Sequence, residues 1–482
     1  MNIGPKYVGL IRLLYKCPVA QILTNGNISS QFSLSRGTRQ GCPVSPLLFS
    51  LAIEPLAEAF RSHPSIHGVR IGGREHLVSL YADDILLYLT KPEISLRTLV
   101  DILKEYGTFS GYKINLSKSI IMPFNRAAMQ NPILDQPFSW KPQKMTYLGL
   151  QIPSEITKTY QLNYTPLLKK VGEELDRWRD LPISLIGRVN CVKMNILPKF
   201  LYLFQTLPFP IPKVLFKQLN RKVSSFLWKG KPPRVKLSTL CKPYSEGGLT
   251  LPDFQLYYWA SQLKAVWVWQ DTTTSSPSWR QIEEECLTPA TLASIPYISP
   301  PKALLGLINN PFIKNTLNIW IEVCKQTEGL KSIYEQTPFY NNPILPKALR
   351  DGITFSWFNK GIKTFGNLYR EGELLSFQQL ASHFQIPQTH FFKYLQVRHY
   401  IATQQGGRIQ PMSKPKTDKL WLERKGVKGF ISYMYSGLQA LLGNDEPLKV
   451  CMKWHDDLGL IFEDEKWGKL FLDAQRLSFN TR

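Results

Sequence analysis

Residues 77–89 read LVSLYADDILLYL, in which two adjacent aspartates stand between two apolar runs. The runs predict the strands of a tight hairpin, with Asp83 and Asp84 at its tip. Asp is a favoured turn residue, so such a pair is often an ordinary surface turn. Between apolar strands, however, two carboxylates are unfavourable unless a cation lies beside them, and Mg²⁺ prefers one or two carboxylates together with phosphate oxygens. The stretch therefore favours a divalent-metal site.

A second hairpin and a helix are predicted before this stretch. Residues 19–24 and 28–34 read as strands joined by Asn25-Gly26, a dipeptide that favours a type I′ turn because both central residues need a positive φ. Ser45 and Pro46 then predict the start of a helix, with Ser45 as its N-cap and Pro46 in its first turn.

Helical periodicity dominates after the Asp-Asp stretch. Leu99, Ile102, Leu103, Tyr106 and Phe109 recur at helical spacing and predict a helix. Further helices are predicted at residues 184–204, 212–228 and 253–269, and residues 271–278, DTTTSSPS, predict a linker.

Composition indicates a globular protein with a polyanionic partner. The 482 residues include 59 Lys and Arg against 36 Asp and Glu, which gives a net charge of +23. Hydrophobic residues at 43% exclude a disordered chain. Residues 151–280 hold 19 basic and 8 acidic residues, so the main phosphate contacts are expected there.

The remaining signals concern the cellular compartment. The 7 cysteines are irregularly spaced, which favours reduced thiols over a disulfide framework. A signal peptide and a membrane-spanning apolar run are not predicted, and we expect a location in the nucleus or cytoplasm without membrane contact. His63, His67 and His76 lack the clustering of metal ligands and are interpreted as surface or packing residues.

Four segments together resemble one enzyme family. Residues 81–84, YADD, resemble the catalytic box of reverse transcriptases. The family's other motifs resemble residues 39–49 (RQGCPVSPLLF), 109–119 (FSGYKINLSKS) and 147–149 (YLG), in the family's order. The residues in these motifs are most similar to those of the reverse transcriptases of non-LTR, LINE-type retrotransposons of the LINE-one-like clade. The likeness continues through residues 184–270 and more thinly to the segment 453–460.

The resemblance implies an α+β fold. Residues 1–152 would form a partial right-hand polymerase palm, with an antiparallel sheet and helices. Residues 153–275 would form a basic helical thumb, and residues 276–482 a mostly helical C-terminal region to which no role is assigned.

The resemblance also implies an RNA-directed DNA polymerase that uses two Mg²⁺ ions, an RNA template, a DNA primer and dNTP. Asp83 and Asp84 would be the metal-site carboxylates. Tyr81 and Ala82 would lie against the primer end. Lys118 would neutralise or protonate the pyrophosphate leaving group, although a solvated surface lysine is an equally good interpretation.

Binding residues follow from the same resemblance. Arg39, Gln40 and Gly41 would face the template and the incoming nucleotide, and Tyr147, Leu148 and Gly149 would form the primer grip. The basic residues of the thumb would line a track for the template–primer duplex; they are Arg177, Arg179, Arg188, Lys193, Lys199, Arg221, Lys222, Lys229, Lys231, Arg234 and Lys236. Trp178, Phe226 and Trp228 lie between them, and ordinary helix packing is the favoured interpretation of these aromatics.

The family's third catalytic aspartate has no counterpart in this sequence. It comes from an earlier strand, whereas the first acidic residue here is Glu54 and no aspartate precedes Asp83. We therefore expect a chain truncated at both ends, with Met1 an internal methionine, a weak or partial Mg²⁺ site and no polymerase activity of its own.

Three alternatives remain open at this stage. In the first, the chain is a non-catalytic protein, derived from a retroelement, that binds RNA or a primer–template. A group II intron maturase or a telomerase-type polymerase is a further possibility, which the thumb segments fit less well. The last alternative is a fragment that does not fold.

Overall fold

The computed structural model contains two compact units, Met1–Pro142 and Gln143–Arg482. The structure describes residues 4–35, 37–38, 40–133, 136–270, 277–287, 290–299, 301–327, 331–412, 414–418, 420, 428–443, 449–459, 463, 465–471 and 473. The predicted linker at residues 271–278 lies largely outside these residues. Within them, no helix combines the length and the apolar character needed to cross a membrane.

Helices and short strands alternate in the first unit. The helices are α1 (Pro5–Leu14), α2 (Ser45–Ser62), α3 (Pro92–Ser110) and α4 (Arg126–Gln130). The strands are β1 (Val19–Ala20), β2 (Leu23–Thr24), β3 (Asn27–Ile28), β4 (Phe32–Ser33), β5 (Val69–Ile71), β6 (Arg74–His76), β7 (Val78–Tyr81), β8 (Asp84–Leu87), β9 (Ile120–Ile121) and β10 (Ser139–Trp140).

These strands pair two by two. Strands β1 and β4, β2 and β3, β5 and β6, and β7 and β8 are antiparallel, whereas β9 and β10 are parallel. The α+β class is therefore confirmed, but the strands of the described part form separate two-stranded sheets rather than one continuous sheet. The predicted turn is also confirmed, since Asn25 and Gly26 have φ values of 49° and 83°.

The core of the first unit lies between α2, α3 and the β7–β8 hairpin. Phe60 of α2 and Leu99 and Leu103 of α3 are buried together. The inward side chains of the hairpin, among them Leu80 and Ile85, pack against this cluster. The hairpin is thus supported on one face by the core of the first unit.

One detail of the helix predictions is wrong. The N-cap of α2 is Val44, so Ser45 is already helical, and its buried hydroxyl has no hydrogen-bond partner among the described residues. The helix predicted from Leu99 to Phe109 is confirmed as part of α3, in whose last turn Phe109 is 82% exposed.

The second unit begins with a hairpin and is otherwise mostly helical. Its strands are β11 (Lys144–Tyr147), β12 (Leu150–Pro153), β13 (Tyr369–Arg370) and β14 (Glu373–Leu374), which pair as β11–β12 and β13–β14. Its helices are α5 (Thr159–Trp178), α6 (Leu185–Cys191), α7 (Leu197–Thr206), α8 (Lys213–Leu227), α9 (Leu237–Cys241), α10 (Phe254–Gln270), α11 (Ser278–Glu285), α12 (Pro301–Leu307), α13 (Pro311–Thr327), α14 (Gly352–Asn359), α15 (Phe377–Phe384), α16 (Phe391–Gln404), α17 (Phe430–Leu442) and α18 (Lys449–Leu458).

The helix predicted at residues 184–204 is interrupted. A π-helical segment, Val192–Ile196, separates α6 from α7. Pro198 follows this segment and has no N–H to donate, so the regular α-helical hydrogen bonding cannot continue unchanged through it.

The predicted thumb and part of the C-terminal region share one core. Helix α10 packs against α7 from the thumb and against α13 and α17 from the C-terminal region. Buried side chains of this core include Phe200, Tyr258, Trp320 and Met434. A second core is formed by residues between 333 and 401. The predicted domain boundaries at 152 and 275 stay predictions, and the contacts place the β11–β12 hairpin in the second unit.

Arg188 holds three segments of the second unit together. Its side chain is 1% exposed. The guanidinium donates to the backbone oxygens of Leu181 at 2.8 Å, Ile183 at 3.2 Å and Phe226 at 2.9 Å, and it lies 4.9 Å from the centre of the Phe226 ring. It therefore satisfies carbonyls at the end of α8 and in the loop before α6.

We expect Arg188→Met to destabilise the chain by about 2–5 kcal/mol, because the carbonyls of Leu181, Ile183 and Phe226 would each lose a charged donor inside the protein. Urea unfolding followed by circular dichroism measures this change. The matched control is Arg177→Met on the exposed surface of α5, which should change the unfolding free energy by less than about 0.5 kcal/mol. Equal stability of both variants would contradict the structural role of Arg188.

Candidate active site

The two aspartates lie at the tip of the β7–β8 hairpin. Tyr81 and Asp84 form the last pair of the ladder, and Ala82 and Asp83 form the turn. Ala82 has a φ of 50°, a left-handed conformation that is uncommon for residues other than glycine. Side chains alternate along the strands, so Tyr81 and Asp84 project from the face opposite the apolar core.

Both carboxylates are exposed to solvent. Tyr81 beside them is 63% exposed. Neither aspartate forms an ion pair with another described residue, so their charges are not compensated within that part of the chain. Two adjacent negative groups on a supported turn attract a cation.

The two carboxylates fit part of the ligand set that Mg²⁺ prefers. Mg²⁺ is commonly held by one or two carboxylates, with water and phosphate oxygens in its other positions. Among the described residues, no group of three or more His, Cys, Asp or Glu side chains could hold a metal ion. The hairpin thus supplies two carboxylate ligands and leaves the other positions open.

Tyr112 lies in the electrostatic field of these aspartates. Burial raises the pKa of its phenol, and the negative charges of Asp83 and Asp84 raise it further, as does Tyr106. The Tyr112 and Tyr106 rings meet edge to face at 5.9 Å. The chain reverses at Gly111, which has a φ of 70° at the end of α3. Sequence reasoning did not single out Tyr112, although it follows this glycine within the segment 109–119.

Lys118 belongs to a turn organised by Asn115. The Asn115 side chain accepts hydrogen bonds from the Ser117 hydroxyl at 2.7 Å and from the Lys118 N–H at 3.2 Å. The Lys118 side chain is exposed and forms no ion pair with either aspartate. Its role in leaving-group chemistry stays a prediction.

The predicted template-facing segment is a loop before α2. Arg39 lies outside the described residues, and Gln40 and Gly41 are exposed. Gly41 has a φ of 84°, and a Cβ added there would meet no atom within 4 Å. Glycine is therefore required in this structure by the backbone conformation rather than by crowding.

The predicted primer grip is a second two-residue turn. Tyr147 and Leu150 form the last pair of β11 and β12. Leu148 and Gly149 have φ values of 47° and 78°, the pattern of a type I′ turn. This hairpin belongs to the second unit, together with α5 and α7.

The predicted basic track is only partly exposed. The exposed residues of the track are Arg177, Arg221, Lys229, Lys231, Arg234 and Lys236. The half-buried ones have partners or close neighbours within the protein. Arg179 lies 3.7 Å from both Asp176 and Asp180, and Lys199 pairs with Glu174. Lys193 donates to the Thr250 hydroxyl at 2.7 Å. Lys222 lies against Gly172, where an added Cβ would be 2.5 Å from its Nζ.

Arg188 does not lie on the surface, where the predicted track would need it. Its side chain is 1% exposed, and its Nε, Nη1 and Nη2 atoms each donate to a backbone carbonyl inside the unit. The packing interpretation holds for Phe226, which is buried, and for Trp178 and Trp228, which pack against the core.

Comparison with known proteins identifies the first part of the chain. Residues 1–152 match the family described as "Reverse transcriptase (RNA-dependent DNA polymerase)". The chain is 25% identical over 398 residues to the "Transposon TX1 uncharacterized 149 kDa protein" of Xenopus laevis, a match that covers 78% of this chain and 29% of that protein.

Two further relatives are Pol polyproteins. The "Retrovirus-related Pol polyprotein from type-2 retrotransposable element R2DM" of Drosophila melanogaster is 22% identical over 272 residues, or 52% of this chain and 24% of that protein. The "Retrovirus-related Pol polyprotein from type-1 retrotransposable element R2" of Popillia japonica is 25% identical over 195 residues, or 37% of this chain and 25% of that protein. The chain thus spans less than a third of the length of these curated relatives.

The proximity of Tyr112 to the aspartates can be tested by titration. We expect the double variant Asp83→Asn, Asp84→Asn to lower the pKa of Tyr112, because two negative charges that disfavour phenolate are removed. The pKa should stay above its ordinary value, since burial is the larger cause. NMR titration of the chain labelled with ¹³Cζ-tyrosine measures this pKa, and the Tyr112→Phe variant identifies the signal of Tyr112. The control is Asp101→Asn on the exposed face of α3, and an equal pKa in the double variant and the control would contradict the geometry.

Proposed function

Residues 1–152 belong to the reverse transcriptase family, and we propose that this chain is part of the RNA-directed DNA polymerase of a non-LTR retrotransposon. The observation that carries the proposal is the exposed, uncompensated Asp83–Asp84 pair at the tip of a supported hairpin inside that domain. The retrotransposon relatives support the choice of polymerase class.

The carboxylates are the chemical groups of the site. Asp83 and Asp84 would hold Mg²⁺, which supplies charge stabilisation to an in-line phosphoryl transfer when it is bound. Tyr81, beside them on the same face, would limit the approach of the primer end. Tyr112 would remain a neutral phenol at working pH, because burial and the two carboxylates raise its pKa.

The exposed cations of the thumb would bind the template–primer duplex. Phosphate contacts supply sequence-independent affinity, which is what a polymerase needs while it moves along its template. Lys229 and Lys231 follow directly after α8, and both are exposed. The chain offers this function even without catalysis, so the second candidate function is binding of an RNA template with its DNA primer.

We expect the purified chain to give no primer extension with Mg²⁺, dNTP and a DNA primer on an RNA template. Phosphoryl transfer depends on positioning and on the complete charge set, and no aspartate precedes Asp83 in this chain to complete the family's three. Joining an upstream aspartate-bearing strand from a related polymerase should restore extension, and Asp83→Ala should abolish it again.

A gel assay with labelled dNTP measures both results. Extension by the chain alone that disappears in Asp83→Ala would contradict the expected inactivity and support catalysis with a substitute ligand. Extension by the joined chain that persists in Asp83→Ala would contradict the assignment of this aspartate.

Duplex binding provides the test of the track. We expect the double variant Lys229→Ala, Lys231→Ala to bind a primer–template more weakly. The plot of the logarithm of the association constant against the logarithm of the salt concentration should become less steep, by about 1 for each phosphate that is no longer neutralised. Fluorescence anisotropy at several KCl concentrations measures the slope. The matched control is Lys325→Ala, Lys347→Ala, two exposed lysines outside the thumb. An equal slope for both double variants would remove these lysines from the interface.

A further inference from the structure

The side chain of Asn163 on α5 is hydrogen-bonded to the backbone of the β11–β12 hairpin. Asn163 is 8% exposed and lies opposite Gln151 of β12. Its amide oxygen accepts from the Gln151 N–H at 2.9 Å, and its amide nitrogen donates to the Gln151 carbonyl at 2.8 Å. The same nitrogen also donates to the Thr159 carbonyl at 2.9 Å. The side chain thus pairs with the edge of β12 as a neighbouring strand would.

The tip of the hairpin has a second attachment. The Tyr202 hydroxyl, on α7, donates to the carbonyl of Leu148, one of the two turn residues. Leu148 has a positive φ, which is unfavourable for a residue with a side chain and persists when its surroundings hold it. The hydroxyl of Tyr202 therefore supports the turn where its conformation is least favourable.

The supporting helices are themselves anchored. Tyr164, next to Asn163, is fully buried, and its ring stacks on Phe204 of α7 at 6.3 Å. Leu150 of β12 belongs to the same core. An isolated two-stranded hairpin is marginally stable in water, so these contacts determine where the turn lies.

We propose that Asn163 and Tyr202 are positioning residues of the primer grip. They bind the backbone of the hairpin, not the primer, and they make residues 147–149 move as part of the thumb helices α5 and α7. The inference rests on the proposed function, because only a polymerase gives the turn a primer strand to hold. Variants of either residue should misplace the primer terminus while the rest of the duplex stays bound.

Photocrosslinking at the primer terminus tests this directly. The probe is a DNA primer with 4-thiothymidine at its 3′ end, annealed to an RNA template and bound to the full 482-residue chain. Mass spectrometry locates the crosslinked residues, and anisotropy gives the affinity for the whole duplex. Tyr202→Phe removes one hydroxyl from an exposed ring and should leave folding intact, whereas Asn163→Ala removes both hydrogen bonds to Gln151.

We expect Tyr202→Phe to lower the crosslink yield at residues 147–149 by about two- to tenfold, the range for losing one net hydrogen bond, and Asn163→Ala to lower it further. The duplex affinity and the melting temperature of Tyr202→Phe should stay close to the wild-type values. The matched control is Thr206→Val, one turn along α7, because its hydroxyl donates to the helix carbonyl of Tyr202 rather than to the hairpin. It should crosslink like the wild type.

The outcomes separate the two proposals. A wild-type chain that binds no primer–template contradicts the proposed function, and the inference falls with it. A wild-type chain that binds the duplex but does not crosslink through residues 147–149 contradicts the primer grip alone. Wild-type crosslinking that is unchanged in Tyr202→Phe, or lowered equally in Thr206→Val, contradicts the positioning role.

Discussion

The packing of the β7–β8 hairpin on α2 and α3 is the interaction on which the candidate site of the first unit depends. The closing pair Tyr81–Asp84 fixes the turn that carries Asp83 and Asp84. The apolar inner face of the hairpin, packed on α2 and α3, supplies the energy that keeps this arrangement in place. The charges are left in solvent, where a cation and a polyanionic substrate can reach them together.

Burial, rather than charge count, decides which basic residues of the second unit can meet a phosphate. Arg188 is the least available residue of the predicted track, since its side chain is 1% exposed and its guanidinium donates to the carbonyl of Phe226 at the end of α8. Lys199 is half committed to Glu174. The exposed lysines after α8 form no ion pair with a described residue and keep their full charge for an external ligand. Net charge predicts the kind of partner, and packing determines which side chains contact it.

The sequence predicted the elements that are determined by neighbouring residues. The Asn25-Gly26 turn, the Asp-Asp hairpin and the helices of the predicted thumb follow from turn chemistry and periodicity. The exposure of Phe109 and the burial of Arg188 could not be predicted in this way, since each depends on a partner far along the chain. Tyr112 carried a weak signal, its position after Gly111. The candidate metal carboxylates can be proposed from their motif, whereas the groups that surround or support a site are recognised only when the chain is folded.

The two hairpins show why sequence order is a poor guide to mechanical units. Each has a tight turn with a non-glycine residue at positive φ, Ala82 in one and Leu148 in the other. The first is held by apolar packing on its own unit, and the second by apolar packing of Leu150 together with polar contacts from Asn163 and Tyr202. Apolar packing tolerates small shifts, but a hydrogen bond to one carbonyl fixes a direction. The turn that should hold a primer strand is therefore oriented by the helices beside it. A displacement of α7 would move Leu148 through the hydrogen bond from the Tyr202 hydroxyl to the Leu148 carbonyl.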